Sequence, residues 1–387
     1  MARIKIENNI YYDDERELYY VYMDYGKDSN GKRIRKQPTF KSKSEAKRAL
    51  KEFEANKTKG TLVIPNDITL KEWLEYWFKN IASNNDEEST LYGYKNIIYK
   101  HLIPSLGDIK LQKLTPKNIQ DYYASKLNDK NNKLSTNTVR KHHTLLKTAL
   151  SVAVTQEILL KNPMDKVIPP KYIKPKINYY DVETLKKLFE LVKNTRLECA
   201  VWLCGFTGIR RSELCGIKWS KIDFKNQILY IEDTRINVGS KIIERDFKAK
   251  NETSIRKIAL NDKLIEILKS EKAKQEHNKE LLKSLYIDTD YVIVMDNGKP
   301  YRPNYLSELF TKFIKDNGLP ELTLHGLRHT VASVANEAGI SMLNISKILG
   351  HSNISTTARV YAHLFDDAHK DSMAAIADEI GVGIINP

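Results

Sequence analysis

His325-Gly326-Leu327-Arg328-His329, followed by Leu349-Gly350-His351 and then Val360-Tyr361-Ala362-His363, is the stretch from which the rest of the chain is read. It gathers an arginine, several histidines and one phenol. Tyr361 is the only tyrosine beyond Tyr305, in a chain that holds 21. Guanidinium and imidazole groups donate strong hydrogen bonds to the nonbridging oxygens of a phosphodiester, and a phenol is a nucleophile that can attack phosphorus. One helical turn between His325 and Arg328 aligns both toward a single phosphate. His325 and His329, four apart, also raise a metal site, but Gly326 stands where a zinc protease carries its glutamate and no third ligand is evident. His351 and Tyr361 flank a short helical stretch, and buried aromatic packing is the ordinary reading of either one alone.

Breaking and rejoining a nucleic-acid strand needs a nucleophile in line with phosphorus, cations on the nonbridging oxygens and an acid for the leaving oxygen. A second cation is found upstream, in Thr207-Gly208-Ile209-Arg210-Arg211-Ser212-Glu213-Leu214. Arg210 follows a turn at the start of a helix expected to reach Ile217, with Glu213 one turn on to hold it. In isolation such a pair is usually a surface ion pair.

Composition agrees with a polyanionic partner. The 387 residues carry 63 Lys plus Arg against 49 Asp plus Glu, a net charge of +14, and 41% of residues are hydrophobic. The length suggests two or three domains, and the charge draws the molecule to nucleic acid. Cys199, Cys204 and Cys215 lack CxxC spacing and read as buried free thiols of a reducing cytoplasm. The N-terminus has no signal-peptide core, and no apolar run is long enough to span a membrane.

In chain order, residues 1–60 read as a small ββ(β)α unit, with a strand over 17–25, an Asn30-Gly31 turn, a strand over 32–40 and a helix capped at Ser42 or Ser44. Lys32, Arg33, Arg35 and Lys36 on the second strand face a first strand crowded with Tyr19, Tyr20, Tyr22 and Tyr25. Such a sheet suits a DNA groove, although a solvated edge over a tyrosine-rich core fits the same pattern. Residues 66–160 read as four helices, with a capping box at Thr69 to Glu72, an N-cap at Thr115-Pro116 and another at Ser135. Arg140 and Lys141 are among the exposed cations placed to meet phosphates. Residues 161–177, rich in Pro and Lys and including Lys174, read as a linker able to strap a DNA backbone. The remainder, 178–387, mixes helices with one short antiparallel sheet, including strands at 228–232 and 255–260.

The runs Thr207 to Leu214, His325 to Thr330 and Leu349 to His351, with Tyr361 ten residues on, resemble the signatures of the tyrosine recombinases, the phage integrase family. The resemblance covers nearly the whole chain. It implies a multidomain, mainly α fold with small β-sheets: an arm-type DNA-binding domain of β-sheet plus helix, a four-helix core-binding domain and an α+β catalytic domain. It implies an active site of Arg210, Lys250, His325, Arg328, His351 and Tyr361, with Glu213 orienting Arg210. Lys250 comes from the likeness of 249–260 to the family's β-hairpin; Asn251 and Ala249 depart from the usual Thr and Pro, which leaves Lys248 as a fallback.

The implied chemistry is a 3′-phosphotyrosyl intermediate formed without metal, ATP or other cofactor, used to integrate or excise a mobile element of a temperate phage or conjugative transposon. The implied partners are double-stranded attachment sites, a homotetramer on DNA, and an excisionase or host DNA-bending protein, all in the cytoplasm at the nucleoid. An apolar stripe at Ala374, Ala375, Ile376 and Ile380, on a final helix expected over 366–380, would dock on a neighbouring protomer. The rival readings are a DNA-binding regulator that has lost catalysis and a DNA-relaxing enzyme that shares the chemistry.

Overall fold

The computed structural model describes residues 3–27, 31–60, 62–246 and 256–350. Lys248, Lys250, His351, Tyr361 and the expected final helix lie outside the described residues, as does Asn30. The chain divides into two compact units, Met1–Lys174 and Pro175–Pro387.

The first unit opens with more strands than the sequence suggests. Ile4–Glu7, Ile10–Asp13, Leu18–Val21 and Thr39–Phe40 form one antiparallel sheet, in that order, while Met23–Lys27 and Arg33–Lys36 form a separate ribbon. The first hairpin turns at Asn8-Asn9, where Asn9 takes the left-handed conformation that asparagine tolerates. The strand expected over 17–25 is two strands, because the chain changes partner at Tyr22, whose N–H goes to the Asn9 carbonyl. The strand expected over 32–40 is also two, interrupted at Pro38, which has no N–H for a ladder. Ser42 caps the helix Lys43–Thr58, whose Ala46 and Phe53 bury against Ile10, Val21 and Met23.

Four helical rods follow. Leu70–Trp77 starts at the Thr69/Glu72 capping box and continues through a π-helical turn, Phe78–Ala82. Glu88–Ile97 likewise runs through Ile98–Leu102 to Ile103–Leu106. Thr115 and Ser135 cap Pro116–Leu127 and Thr136–Thr155. Their apolar faces close on Trp73, Trp77, Ile98, Leu102 and Leu146, and the Trp73 indole donates to the Ala149 carbonyl at 3.0 Å. His142 is buried with the Tyr122 hydroxyl 2.8 Å from its Nδ1; burial pushes the imidazole down to about 4, so it is neutral. Within the proline-rich stretch, Pro163–Lys166 forms a 3₁₀ turn, and Met164 and Val167 are buried in this helical core. No helix among the described residues is long and apolar enough to cross a membrane.

In the second unit, helices Val182–Val192, Glu198–Thr207, Asp262–Leu282, Pro303–Asp316 and Leu324–Glu337 enclose a core that includes Leu188, Leu203, Leu268, Phe310 and Leu327. Ile228–Ile231 pairs with Arg256–Ala259 on one side and Ile222–Asp223 on the other, as the alternating pattern anticipates. The helix expected from Arg210 to Ile217 is a single turn, Arg211–Leu214. It ends where Gly216 passes the Asp233 backbone so closely that a Cβ would lie 2.6 Å from the Asp233 carbonyl oxygen. Asp233–Val238 and Lys241–Asp246 form a hairpin, pinned by buried Arg235, which donates to Glu244 and to the Tyr301 carbonyl. The three cysteines are buried free thiols.

Candidate active site

The site is built around one carboxylate. Helix Glu198–Thr207 ends at Gly208, whose φ of 65° is left-handed, a conformation that glycine adopts without strain. The chain then turns so that Arg210, in extended conformation, becomes the N-cap of Arg211–Leu214. Glu213 accepts from the Arg210 backbone N–H at 2.8 Å and from its guanidinium at 2.7 Å. It also accepts two bonds from Arg256, at 3.1 and 2.7 Å. Both carboxylate oxygens therefore carry two donors each, which fills their lone-pair positions. The Glu213 side chain is 2% exposed while that of Arg210 is 40% exposed, so the acid is sealed and the cation it holds stays open to a ligand.

Arg328 arrives from the helix Leu324–Glu337, which Thr323 caps by accepting from the Gly326 N–H. Arg328 is buried and donates to the Gly208 carbonyl at 2.7 Å, tying this helix to the turn that aims Arg210. His325, one turn earlier on the same helix, is accessible to solvent while part of its ring is packed. Burial of its ring, then the charges of Arg328, Arg210 and Arg211, hold its imidazole below the ordinary histidine range. That direction favours the neutral ring at pH 7. His329 packs edge-on against His325, with ring centroids 4.9 Å apart. A Cβ at Gly326 would lie 2.5 Å from Leu322 Cδ1, so the position aligned with a zinc protease's glutamate has no room for one. No group of three potential metal ligands occurs among the described residues.

The helix Met342–Leu349 completes the described part of the site. It ends at Gly350, whose φ is also 65° and whose carbonyl accepts from Arg210 at 3.0 Å. Thus Arg210, Glu213, His325 and Arg328 converge, and the chain leaves toward His351 and Tyr361 directly from a contact with Arg210. The other sequence candidates lie elsewhere. Arg33 and Arg35 both pair with Asp24, Lys36, Lys141 and Lys174 are exposed, and Arg140 donates to the Pro170 carbonyl at 2.8 Å. Lys32 is exposed just before the strand Arg33–Lys36.

Arg256 lies in the segment 249–260 that resembles the family's β-hairpin, but sequence reading gave it no role. The signal was present: in Arg256–Ala259 alternate residues share a face, so Arg256 points with Ile258 toward the core, and a guanidinium there must find an acid.

Comparison with known proteins shows the class to which this arrangement belongs. Residues 178–368 match the phage integrase family, 69–128 match the phage integrase N-terminal SAM-like domain, and 9–57 match an arm DNA-binding domain. A tyrosine recombinase XerC-like protein of Caldanaerobacter subterraneus subsp. tengcongensis is 30% identical over 95% of this chain and 98% of its own. The ICEBs1 integrase of Bacillus subtilis is 26% identical over 94% of this chain and 98% of its own.

Among solved structures, the Tn1549 transposon integrase in complex with a circular intermediate DNA superposes with a TM-score of 0.68 at 20% identity, covering 80% of this chain and all of that one. A lambda integrase tetramer bound to a Holliday junction gives 0.56 at 21% identity, over 90% and 97% of the two chains. The chain belongs to the phage integrase family and is a tyrosine recombinase.

Burial alone would raise the Glu213 carboxyl; Arg256 first, and then Arg210, bring it down to about 2 from an ordinary 4.5. A depressed acid contributes stability that is fully present above pH 4.5 and is lost as pH falls toward 2. Replacing Glu213→Gln is therefore expected to destabilise the second unit at neutral pH by about 3 kcal/mol. The gap should narrow below pH 4.5. Urea unfolding of both proteins across this range checks it, and a gap independent of pH contradicts the assignment.

Proposed function

We propose that this recombinase integrates or excises a mobile element by attack of the Tyr361 hydroxyl on a DNA phosphate. The new bond joins tyrosine oxygen to phosphorus, and the bond from phosphorus to the 5′-oxygen breaks. The products are a 3′-phosphotyrosyl enzyme and a free 5′-hydroxyl, which can then attack the corresponding linkage on a partner duplex. Arg210, Arg328 and His351 hold the nonbridging oxygens, Lys250 protonates the departing 5′-oxygen, and neutral His325 accepts the phenolic proton or a phosphate contact. The phosphotyrosine conserves the energy of the broken linkage, so rejoining needs no ATP, and cationic side chains supply the charge that a metal supplies elsewhere.

The observation that supports this reading best is the grip of Glu213 on an otherwise open Arg210, which also binds the Gly350 carbonyl at the root of the segment carrying His351 and Tyr361. A regulator without catalysis has no need of a sealed acid aiming an open cation.

The proposed domain plan assigns 1–60 to arm-site DNA, 66–160 to the core site, 161–177 to a strap that includes Lys174, and 178–387 to catalysis. Lys32, Arg33, Arg35, Lys36, Arg140 and Lys141 are proposed to meet DNA phosphates, Arg33 and Arg35 by exchanging Asp24 for phosphate. Exchange between two duplexes requires four active sites, so the proposed working form is a homotetramer on DNA. An excisionase or a host DNA-bending protein would set direction, at the nucleoid in the cytoplasm.

Tyr361→Phe is expected to abolish the covalent DNA adduct on denaturing gels while duplex binding persists; a persisting adduct refutes the nucleophile. Lys250→Ala should cut single-turnover cleavage by roughly 10²–10⁴-fold. A substrate with sulfur at the 5′-bridging position, whose thiolate leaves without a proton, should restore it. If Lys248→Ala, and not Lys250→Ala, shows this pattern, the acid is Lys248.

A further inference from the structure

Glu213 carries two arginines, of which the reaction scheme uses one. The second, Arg256, lies on the strand Arg256–Ala259, 43 residues along the chain from the acid it grips. It meets Glu213 end-on through both terminal nitrogens, with bonds to Oε1 at 3.1 Å and Oε2 at 2.7 Å, while its side chain is 13% exposed. Its far side is closed by Gly350: a Cβ there would stand 2.8 Å from the Arg256 Cδ, Nε and Cζ atoms. Arg256 is thus wedged between the acid that holds Arg210 and the glycine whose carbonyl Arg210 binds. The Cys204 thiol on helix Glu198–Thr207, which also senses Glu213, is kept neutral by burial. Among the described residues, Arg256 and Arg210 are the groups that compensate the Glu213 charge.

We propose that Arg256 is a positioning residue for strand cleavage: through the carboxylate they share, it fixes the Arg210 guanidinium in the orientation that receives the scissile phosphate. The inference rests on the assignment of Arg210 to that phosphate. Without Arg256, Glu213 loses two of its four donors and its carboxyl rises, so the acid that holds Arg210 takes up a proton at a higher pH than in the wild-type chain. Arg256 also begins the strand that follows the segment bearing Lys250, so the same ion pair ties the root of that segment to the Arg210 turn.

The test is single-turnover formation of the covalent adduct on a nicked core-site duplex, from about pH 5 to 9, for the wild-type chain, Arg256→Gln and Arg256→Lys, with duplex affinity measured in parallel. Arg256→Gln is expected to slow adduct formation on the order of 10²-fold. Its acid limb should move to higher pH, while affinity, spread over many phosphate contacts, changes by less than about twofold. Arg256→Lys keeps the charge but not the paired bonds, so it should lose about tenfold in rate and show a smaller displacement. An unchanged rate in Arg256→Gln, or a loss that is uniform in pH with the acid limb in the wild-type place, overturns the proposal. If Arg256→Gln melts below the assay temperature, Arg256→Lys decides: a slower rate with a displaced limb supports the role, and wild-type behaviour in both overturns it. Failure of the underlying assignment is seen separately, because Arg210→Ala would then form the adduct at the wild-type rate.

Discussion

A buried carboxylate is tolerated only while enough positive charge and enough hydrogen bonds surround it, and Glu213 sets that condition for the whole catalytic unit. Removing an ion of this size from water costs several kcal/mol, and the cost is offset only in a good geometry. The two guanidinium groups that satisfy Glu213 come from separate elements, the turn after Glu198–Thr207 and the strand Arg256–Ala259. The sheet, the turn and the acid consequently hold one another in register. The Gly350 carbonyl, accepting from the same Arg210, adds the end of the helix Met342–Leu349 to that register.

The two glycines at the joints keep the groups close. Gly208 is left-handed, and a Cβ there would stand 2.7 Å from Leu349 Cδ2; its carbonyl is the acceptor for Arg328. Gly350 is left-handed and lies against Arg256. Each glycine therefore supplies both a sharp reversal and a close approach, and each holds an arginine through its backbone carbonyl. Electrostatics follow from the packing: desolvation of the His325 ring, and then the charges of Arg328, Arg210 and Arg211, keep its imidazole below the ordinary histidine range.

What the sequence disclosed, and what it withheld, divides along the same physical lines. Arg210 with Glu213 and His325 with Arg328 are separated by one helical turn, so their mutual placement follows from local geometry, as do the caps at Thr69, Thr115 and Ser135. Arg256 was passed over because its partner is distant in the chain and only tertiary folding brings them together. The N-terminal sheet was under-counted for a different reason. Its strands are two to five residues long, and partner exchange at Tyr22 and the missing N–H of Pro38 divide runs that look continuous. Charge alone did not disclose the hydrogen bond that the Arg140 guanidinium donates to the Pro170 carbonyl.

The central claim is that one phosphate is received by Arg210, His325 and Arg328 while Glu213 stays ionised and paired behind them. It is tested most directly by a crystal structure of the Tyr361→Phe chain on a core-site duplex. The account predicts a single backbone phosphate within hydrogen-bond reach of Arg210, with the Glu213 bridge to Arg210 and Arg256 intact. A phosphate bound elsewhere, or an Arg210 that has left Glu213 to reach it, would contradict it.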